Sequence, residues 1–475
     1  MLFHEQKILF IGNSKVGSEG GLHNHFRRTM AQKENPVNVE TDWVSMYGAS
    51  TLKDMLTDEI KERITHGNDH LIILQSGAIN EMQNFVNLIR EAGKEVMIFQ
   101  VWDENTMLRN EEDKREAVSS YSSLLSFCQT NHIKLAPAGI AYNQLMAKLP
   151  KGHHLRPDYL YVPEGIVQNN LGTMVNVASI YASLSGESPV GLPSWEPFDK
   201  KLVKAIQTRT FIVFKNWQKG KIKLETTNKS NELTQVPLQN SEPAWAPVLK
   251  TDSKIYYVGN SYIGTEGGLE NHFPRLLREV NSPYQISTKS QIFWGQGLQR
   301  MFQPNVKKQI AEGPEDLVVV TSGPRVYLDS FYNEITSVGK QMAIHMTWGR
   351  NPTINDQGMD GFTKQTKAIV ETARKFEEET GVPVIPCGLI FYDLVKNPPQ
   401  FENIKLREDW VFMVENIHQN HLGTMINASA HYAVLTGQSP VGLPMWDPYP
   451  EELVRVLQER TWQIVKDWKA GKTYF

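Results

Sequence analysis

Lys7-Ile-Leu-Phe-Ile-Gly-Asn-Ser14, near the start of the chain, returns almost unchanged as Lys254-Ile-Tyr-Tyr-Val-Gly-Asn-Ser261. Each stretch is a continuous apolar run with no polar alternation, which is typical of a strand covered on both faces. A Gly-Asn-Ser turn and a helical pattern follow directly. The stretch therefore predicts the first strand of a parallel α/β sheet, with a serine at its carboxyl end.

The similarity between the two halves of the chain continues far beyond this strand. Asn170-Leu-Gly-Thr-Met174 returns as His421-Leu-Gly-Thr-Met425, and Ser188-Pro-Val-Gly-Leu-Pro193 returns as Ser439-Pro-Val-Gly-Leu-Pro444. A repeat of this length indicates a duplicated domain and not a solenoid unit of a few dozen residues. Positions at which the two halves differ then show which chemical groups only one of them holds.

The 475 residues suffice for two domains, each large enough for its own core. We predict a first repeat at residues 1–222 and a second repeat at residues 251–475. Residues 223–250 are rich in Ser, Thr, Asn and Pro and lack periodicity, which predicts a linker.

Further apolar runs alternate with helical patterns in both repeats. This alternation predicts right-handed βαβ crossovers and a parallel sheet in each repeat. The predicted strands are Ile8–Ile11, Leu71–Leu74, Val96–Phe99 and Ile133–Ala136 in the first repeat, and Ile255–Val258, Leu317–Val320, Met342–Met346 and Val382–Ile385 in the second.

The overall composition argues against several classes of function. A net charge of −3 with no long basic stripe makes nucleic acid an unexpected partner. No apolar run approaches the roughly 20 residues of a membrane span, so no membrane partner is expected. We expect a cytoplasmic protein as the sequence stands, or a secreted or periplasmic one if an export signal was trimmed. The two cysteines, Cys128 and Cys387, occupy non-equivalent positions and predict no disulfide framework. The oligomeric state stays open.

Ser14 and Ser261 lie where open α/β sheets bind ligands, at a strand end and a helix start. Backbone N–H groups there stabilise an oxyanion, although a serine or asparagine can also serve only as a helix cap. A nucleophilic serine needs a base, and the base needs an orienting acceptor. Glu415-Asn-Ile-His418 in the second repeat offers both, with Glu415 holding one ring nitrogen of His418.

With these motifs the chain resembles the SGNH, or GDSL-type, hydrolases. The resemblance implies two tandem flavodoxin-like three-layer α/β/α domains and the hydrolysis of esters, often acetyl esters of sugars or lipids. It implies Ser261 as nucleophile and His418 as base, with Gly423 at the expected distance after it. The backbone of Ser261 and Gly295 would form the oxyanion hole, and no cofactor is implied.

The two repeats depart from the family pattern at different positions. The second repeat has Glu415 where Asp is usual. It has Thr321 where the family has an amide for the oxyanion hole, and the Thr321 hydroxyl is expected to substitute for that amide. The first repeat holds Ser14, Gly48 at the glycine block and Gln75 as the amide, but has Val167 where the base belongs. Since valine cannot transfer a proton, we predict a degenerate site in the first repeat and a working one in the second.

Other residues near the predicted site admit more than one interpretation. Asn260, Trp294 and Trp348 are candidate substrate-binding residues, and the two indoles favour stacking on a sugar ring, although tryptophan is more often a core residue. Glu415, His418 and His421 could suggest a metal site, but their spacing is a weak signal and we predict none.

The remaining histidines are assigned to the fold. His25 and His272 hold equivalent positions in a helix, so we expect packing or hydrogen bonding there. His345 lies in an apolar run and is expected to be a hydrogen-bonded core histidine.

Three functional hypotheses remain. The first is a serine esterase acting on a small-molecule or glycan ester in the second repeat. The second is a non-catalytic ligand- or glycan-binding protein built from two degenerate domains, suggested by Val167 and Thr321. The third is a composite site in which the first repeat supplies Gln75 to the second.

Overall fold

The computed structural model describes residues 6–46, 51–101, 111–148, 159–162, 167–221, 223–226, 243–354, 356–413, 417–445 and 447–475. The chain divides into two compact units. The first comprises Met1–Glu232 with Trp446–Pro448, and the second comprises Leu233–Met445 with Tyr449–Phe475. The domain boundaries expected from the sequence remain a prediction.

The first unit is a five-stranded parallel sheet with strand order β2-β1-β3-β4-β5 and helices around it. Its strands are β1 (Lys7–Gly12), β2 (Glu40–Ser45), β3 (Leu71–Gln75), β4 (Glu95–Phe99) and β5 (Lys134–Ala136). Its helices are α1 (Ser14–Gly17), α2 (Leu22–Gln32), α3 (Leu52–Met55), α4 (Asp58–His66), α5 (Ile79–Glu91), α6 (Glu111–Thr130), α7 (Ala138–Ala147), α8 (Asn170–Ser185) and α9 (Lys200–Gln218).

The second unit has a five-stranded parallel sheet with the same order, β7-β6-β8-β9-β10. Its strands are β6 (Lys254–Gly259), β7 (Ser287–Ile292), β8 (Leu317–Thr321), β9 (Gln341–His345) and β10 (Val384–Ile385). Its α-helices are α10 (Ser261–Gly264), α11 (Leu269–Glu279), α12 (Pro304–Glu312), α13 (Arg325–Ser337), α14 (Gly358–Thr380), α15 (Cys387–Lys396), α16 (His421–Thr436) and α17 (Glu451–Lys469), with short 3₁₀ turns at Thr265–Gly267 and Leu298–Arg300.

Both units are therefore α/β folds with a parallel sheet flanked by helices, and the predicted fold class is confirmed. All eight strands expected from apolar runs are present, with ends shifted by up to two residues. Burial explains this success. Every residue of β3 and β8 is buried, so these strands read as nearly continuous apolar runs that can be recognised without knowing which strands lie beside them.

The two strands that the apolar runs did not predict are β2 and β7. Their sequences, Glu-Thr-Asp-Trp-Val-Ser and Ser-Thr-Lys-Ser-Gln-Ile, are mostly polar, and every residue in them is either exposed or half-buried. Each pairs along one side only, with β1 or β6, so it is an edge strand that needs no continuous apolar run.

The far end of the predicted linker is attached to the second unit. The Ala244 N–H donates to Gly437 O at 2.7 Å, and the indole N–H of Trp245 donates to Val434 O at 3.1 Å. The Trp245 ring also lies 5.2 Å from that of Trp462. Trp245 thus anchors the start of the second repeat to its last two helices.

Among the described residues, no helix combines the length and the apolar character that a membrane span requires.

Candidate active site

Ser261 is held at the carboxyl end of β6, an interior strand that pairs with β7 and β8. It is the first residue of α10, and the Asn260 side chain caps this helix by accepting the Tyr262 N–H at 3.2 Å. The N–H groups of Ile263 and Gly264 donate to Asn260 O at 3.0 Å and 3.1 Å, so this asparagine binds the first turn through both its side chain and its backbone. Ser261 is buried, with 6% of its surface exposed.

His418 contacts this serine directly. Its Nε2 lies 2.7 Å from Ser261 Oγ, within the range of a strong hydrogen bond. The Tyr262 ring lies 5.7 Å from the imidazole and limits its orientation from one side. The sequence separation of 157 residues means that only the fold brings the nucleophile and base candidates together.

The loop that carries His418 is fixed to its surroundings on both sides of the histidine. The Met413 N–H donates to His418 O at 2.9 Å, and Gln419 Nε2 donates to Tyr262 O at 3.1 Å. The second bond ties the histidine loop to the residue that follows the serine. Glu415, the predicted orienting carboxylate, lies outside the described residues.

Gly423 allows helix α16 to pack closely beneath the same loop. A Cβ on Gly423 would lie 2.7 Å from Val411 O, closer than side-chain atoms approach backbone. Asn420 caps α16 by accepting the Gly423 N–H at 2.9 Å, and its amide donates to Trp410 O at 2.9 Å. Gln419 and Asn420 were not among the predicted site residues. Their signal was available in the sequence, since Gln168 and Asn169 precede the matching helix of the first repeat.

Gly295 lies in a turn that is attached to the serine strand. The turn closes through the Gln296 N–H to Phe293 O at 3.1 Å, and Gly295 has a φ of +68°, which favours glycine. Asn260 Nδ2 donates to Gln296 O at 3.3 Å. This contact links the helix cap beside Ser261 to the glycine turn. Trp294, the preceding residue, is 60% exposed.

Thr321 ends the strand next to β6 and is completely buried. Its hydroxyl has no hydrogen-bond partner among the described residues. An unpartnered buried hydroxyl is costly, so a partner that arrives with a ligand would be favoured there. The following residue, Ser322, is instead engaged, since its Oγ lies 2.9 Å from Thr347 Oγ1.

Trp348 is buried, whereas a substrate-binding residue is expected to be accessible. Its side chain is 2% exposed, and its ring stacks on Phe391 with centroids 3.9 Å apart and meets the edge of Tyr262 at 4.9 Å. The ring offers no open face to a sugar in this arrangement. Trp348 supports Tyr262 from behind, and Trp294 is the exposed indole of the predicted pair.

The first repeat has the same framework around Ser14 without a histidine beside the serine among the described residues. Val162 N–H donates to Val167 O at 3.1 Å, as Met413 does to His418 O, so Val167 occupies the histidine position. Gln75 Oε1 accepts the Asn13 N–H at 3.0 Å, so this amide is engaged within its own repeat. Gly48 lies outside the described residues.

His25 and His272 have the structural role that their equivalent positions predict. Both are buried, and their Nε2 atoms contact the backbone oxygens of Glu19 and Glu266, respectively. Burial lowers the pKa of His25 to about 3, and burial lowers the pKa of His272 well below its usual range. Both histidines are therefore neutral core residues at ordinary pH.

The histidines of the suggested metal spacing face different neighbours. The His418 Nε2 lies against Ser261, whereas the His421 ring lies 5.1 Å from that of His272. His345 is completely buried, as predicted, but neither of its ring nitrogens has a hydrogen-bond partner among the described residues. The expectation of a hydrogen-bonded core histidine is therefore wrong for His345.

No protein-family model matches the chain, and no curated protein matches it. Solved structures do match. A DUF4886 family protein from Bacteroides uniformis ATCC 8492 is 17% identical, covers 44% of this chain and 94% of its own, and has a TM-score of 0.33. Axe2, an acetylxylan esterase from Geobacillus stearothermophilus, is 15% identical, covers 42% of this chain and 99% of its own, and has a TM-score of 0.31.

Proposed function

We propose that the second repeat is a serine esterase of the SGNH type, with Ser261 as nucleophile and His418 as general base. The observation that carries this proposal is the 2.7 Å separation of His418 Nε2 and Ser261 Oγ at the carboxyl end of the sheet. A base within hydrogen-bond reach of a hydroxyl at a helix start is the arrangement that nucleophilic catalysis requires.

The reaction follows from these two side chains. His418 Nε2 takes the hydroxyl proton as Ser261 Oγ forms a bond to the ester carbonyl carbon, and the carbonyl π electrons move to its oxygen. Collapse of the tetrahedral intermediate breaks the bond to the alcohol oxygen, which receives the proton from His418. Water, deprotonated by the same nitrogen, then attacks the acyl enzyme, releases the acid and restores Ser261.

An orienting carboxylate and an oxyanion hole complete the proposed machinery. Glu415 would accept a hydrogen bond from His418 Nδ1 and stabilise the imidazolium that forms. The backbone N–H groups of Ser261 and Gly295 would donate to the oxyanion, with the Thr321 hydroxyl in the place of the family amide. The hydrogen bond from Asn260 to the glycine turn supports this arrangement, because it couples the two backbone donors.

The exposed Trp294 favours an ester of a sugar as substrate. Its indole is 60% exposed beside the glycine turn, and an aromatic ring in that position suits stacking on a pyranose face. Replacing Trp294 by Ala is expected to raise KM about two- to tenfold for an acetylated sugar, the equivalent of a lost aromatic contact. The KM for a small aryl acetate serves as the control and should not change; an equal change for both esters would argue against stacking.

The first repeat is, on this proposal, the degenerate product of a tandem duplication. The repeated sequence motifs and the identical strand order of the two sheets support a common origin. Val167 at the base position supports the loss of catalysis. We assign residues 1–222 to this degenerate domain, 223–250 to the linker and 251–475 to the catalytic domain.

A second candidate function is ligand binding without catalysis. Thr321 favours it, since a buried hydroxyl is a weaker oxyanion donor than the amide it replaces. An activity-based fluorophosphonate probe separates the two candidates, because it reacts only with an activated serine. Intact-mass analysis and peptide mapping should find one adduct on Ser261, absent from the His418→Ala variant. A folded wild-type chain that stays unlabelled would reject the esterase and favour the binding protein.

A further inference from the structure

Three side chains with metal-binding atoms meet inside the second unit. His345 ends β9, Cys387 begins α15 and His431 lies in the middle of α16. Each is completely buried, and their ligand atoms all lie within 4.8 Å of one another. We call these residues the His345–Cys387–His431 cluster. It is the one such group of three found among the described residues.

The cluster lacks the hydrogen bonds that buried polar groups normally make. Among the described residues, neither ring nitrogen of His345 has a hydrogen-bond partner, and the Nε2 of His431 has none either. The hydroxyl of Tyr257, whose ring lies 6.0 Å from that of His431, is also buried without a partner there. Buried polar groups are nearly always satisfied, and each exception costs free energy of folding. Several orphans side by side indicate a bound group that supplies the missing interactions.

One histidine of the cluster is already oriented as a ligand. His431 Nδ1 lies 2.8 Å from the backbone oxygen of Asn427, one turn earlier in α16. A neutral imidazole that donates from Nδ1 has its lone pair on Nε2, the nitrogen without a partner. Such a backbone contact is the usual second interaction of a metal-binding histidine, since it fixes the tautomer and the ring direction.

The first repeat shows that the fold does not need polar atoms at these positions. Phe99 pairs with Gln75 as His345 pairs with Thr321, so Phe99 matches His345. Ala138 and Cys387 are the first residues of equivalent helices, α7 and α15. Counting from the starts of α8 and α16, Ile180 matches His431. Apolar packing in one repeat is thus replaced by two imidazoles and a thiol in the other, which folding alone does not explain.

We propose that His345, Cys387 and His431 bind a zinc ion as a structural site of the second repeat. One thiolate and two imidazoles are donors that zinc prefers, and closed burial is typical of structural sites, not of catalytic ones. With Zn–N of about 2.0–2.1 Å and Zn–S of about 2.3 Å, tetrahedral zinc places two nitrogens, or a nitrogen and a sulfur, about 3.3 to 3.6 Å apart. Distances between the ligand atoms, all within 4.8 Å, would therefore shorten by up to roughly 1.5 Å on binding. The Tyr257 hydroxyl is the candidate for the fourth position.

An ion bound by the cluster would affect the structure of the neighbouring strand ends at the predicted active site. His345 pairs with Thr321 across β8 and β9, and its backbone oxygen accepts the Ser322 N–H at 2.9 Å. An ion held by His345 would therefore stiffen the strand ends beneath the predicted oxyanion hole. The proposal does not rest on the esterase function, because metal binding is measured without any substrate.

Metal content of the full chain tests the proposal directly. The tag-free protein, purified from medium containing zinc, should hold about one zinc ion per chain by elemental mass spectrometry. The variant His345→Phe/Cys387→Ala/His431→Ile carries the residues of the first repeat and should keep its fold while losing nearly all the zinc. Cys128→Ala removes the other buried free cysteine and should retain the metal.

A second measurement does not depend on the triple variant. Wild-type chain unfolded and refolded with Co²⁺ should show a thiolate-to-cobalt charge-transfer band, which Cys387→Ala should lack and Cys128→Ala should keep. Refolding with a chelator should lower the melting temperature of the wild type and leave that of the triple variant unchanged. Wild-type protein that holds no zinc and shows no band after refolding with cobalt would overturn the proposal, as would full zinc retention by the folded triple variant.

Discussion

The two serine sites share a framework and differ in the residue opposite the hydroxyl. Ser14 and Ser261 each begin a short helix capped by an asparagine, whose side chain accepts the N–H two residues on at 3.0 Å and 3.2 Å. Gln168 donates to Lys15 O at 3.2 Å, as Gln419 donates to Tyr262 O at 3.1 Å. The scaffold thus persists where valine replaces the histidine, so these contacts serve folding whether or not the site is catalytic.

At the position of the predicted side-chain oxyanion donor, it is the first repeat that keeps the residue expected for the family. The first repeat has Gln75, whose side-chain oxygen accepts the backbone N–H of Asn13, whereas the second has the unpartnered Thr321 hydroxyl. Loss of a base removes the proton-transfer step, while loss of one oxyanion donor leaves others in place. The second repeat therefore keeps the histidine, whose loss would lower the rate of ester hydrolysis more than the loss of the amide.

Alanine substitution of each serine should have the largest effect on this comparison. Ser261→Ala removes the proposed nucleophile, so kcat for a small aryl acetate should fall by at least about ten-thousandfold, as it does in serine hydrolases. Ser14→Ala should leave the rate unchanged, since Val167 provides no base. Equal rates for wild type and Ser261→Ala would contradict the assignment of the nucleophile.

Transfer of the base to the first repeat should partly reverse the difference. In a Ser261→Ala background, Val167→His places an imidazole where the loop contacts match those of His418. We expect fluorophosphonate labelling to reappear on Ser14, at a rate at least about a hundredfold above that of the Val167 parent, because general base catalysis contributes that much. Val167→Gln, a polar control that cannot serve as a base, should stay unlabelled. Labelling of neither variant would mean that the first repeat lacks more than the histidine.

The sequence could predict most of the fold because the interior strands are apolar throughout. It missed β2 and β7, since edge strands with one solvated face carry no such run. Motif order made Ser261 and His418 candidates, but their 2.7 Å contact depends on the loop anchored by Gln419, and no local pattern encodes it. The burial of Trp348 and the orphaned nitrogens of His345 depend on neighbours distant in the chain, so composition and spacing could not show them.

Removal of the Thr321 hydroxyl should separate catalysis from stability. Thr321→Val keeps the branched shape and deletes a buried hydroxyl that has no partner among the described residues. If the hydroxyl donates to the oxyanion, kcat should fall by about a hundredfold with little change in KM, the typical cost of one donor. The melting temperature should rise or stay constant, because an unsatisfied polar group has been removed. A full wild-type kcat would leave the two backbone donors as the whole oxyanion hole.

Acid should weaken both repeats alike, since His25 and His272 make the same contact with a backbone oxygen. Burial lowers the pKa of His25 to about 3, below the 6.5 expected in the unfolded chain. The unfolded chain therefore binds more protons between these values, so the contribution of neutral His25 is complete above pH 6.5 and is lost as pH falls toward 3. From pH 7 to pH 5 this contribution falls by about 2 kcal/mol.

His25→Gln removes the titrating group, so the free energy of unfolding of that variant in urea should change by about 2 kcal/mol less between pH 7 and pH 5. His272→Gln should flatten the profile in the same direction, because burial lowers the pKa of His272 as well. A profile as steep as that of the wild type in both variants would show that other groups govern the acid response.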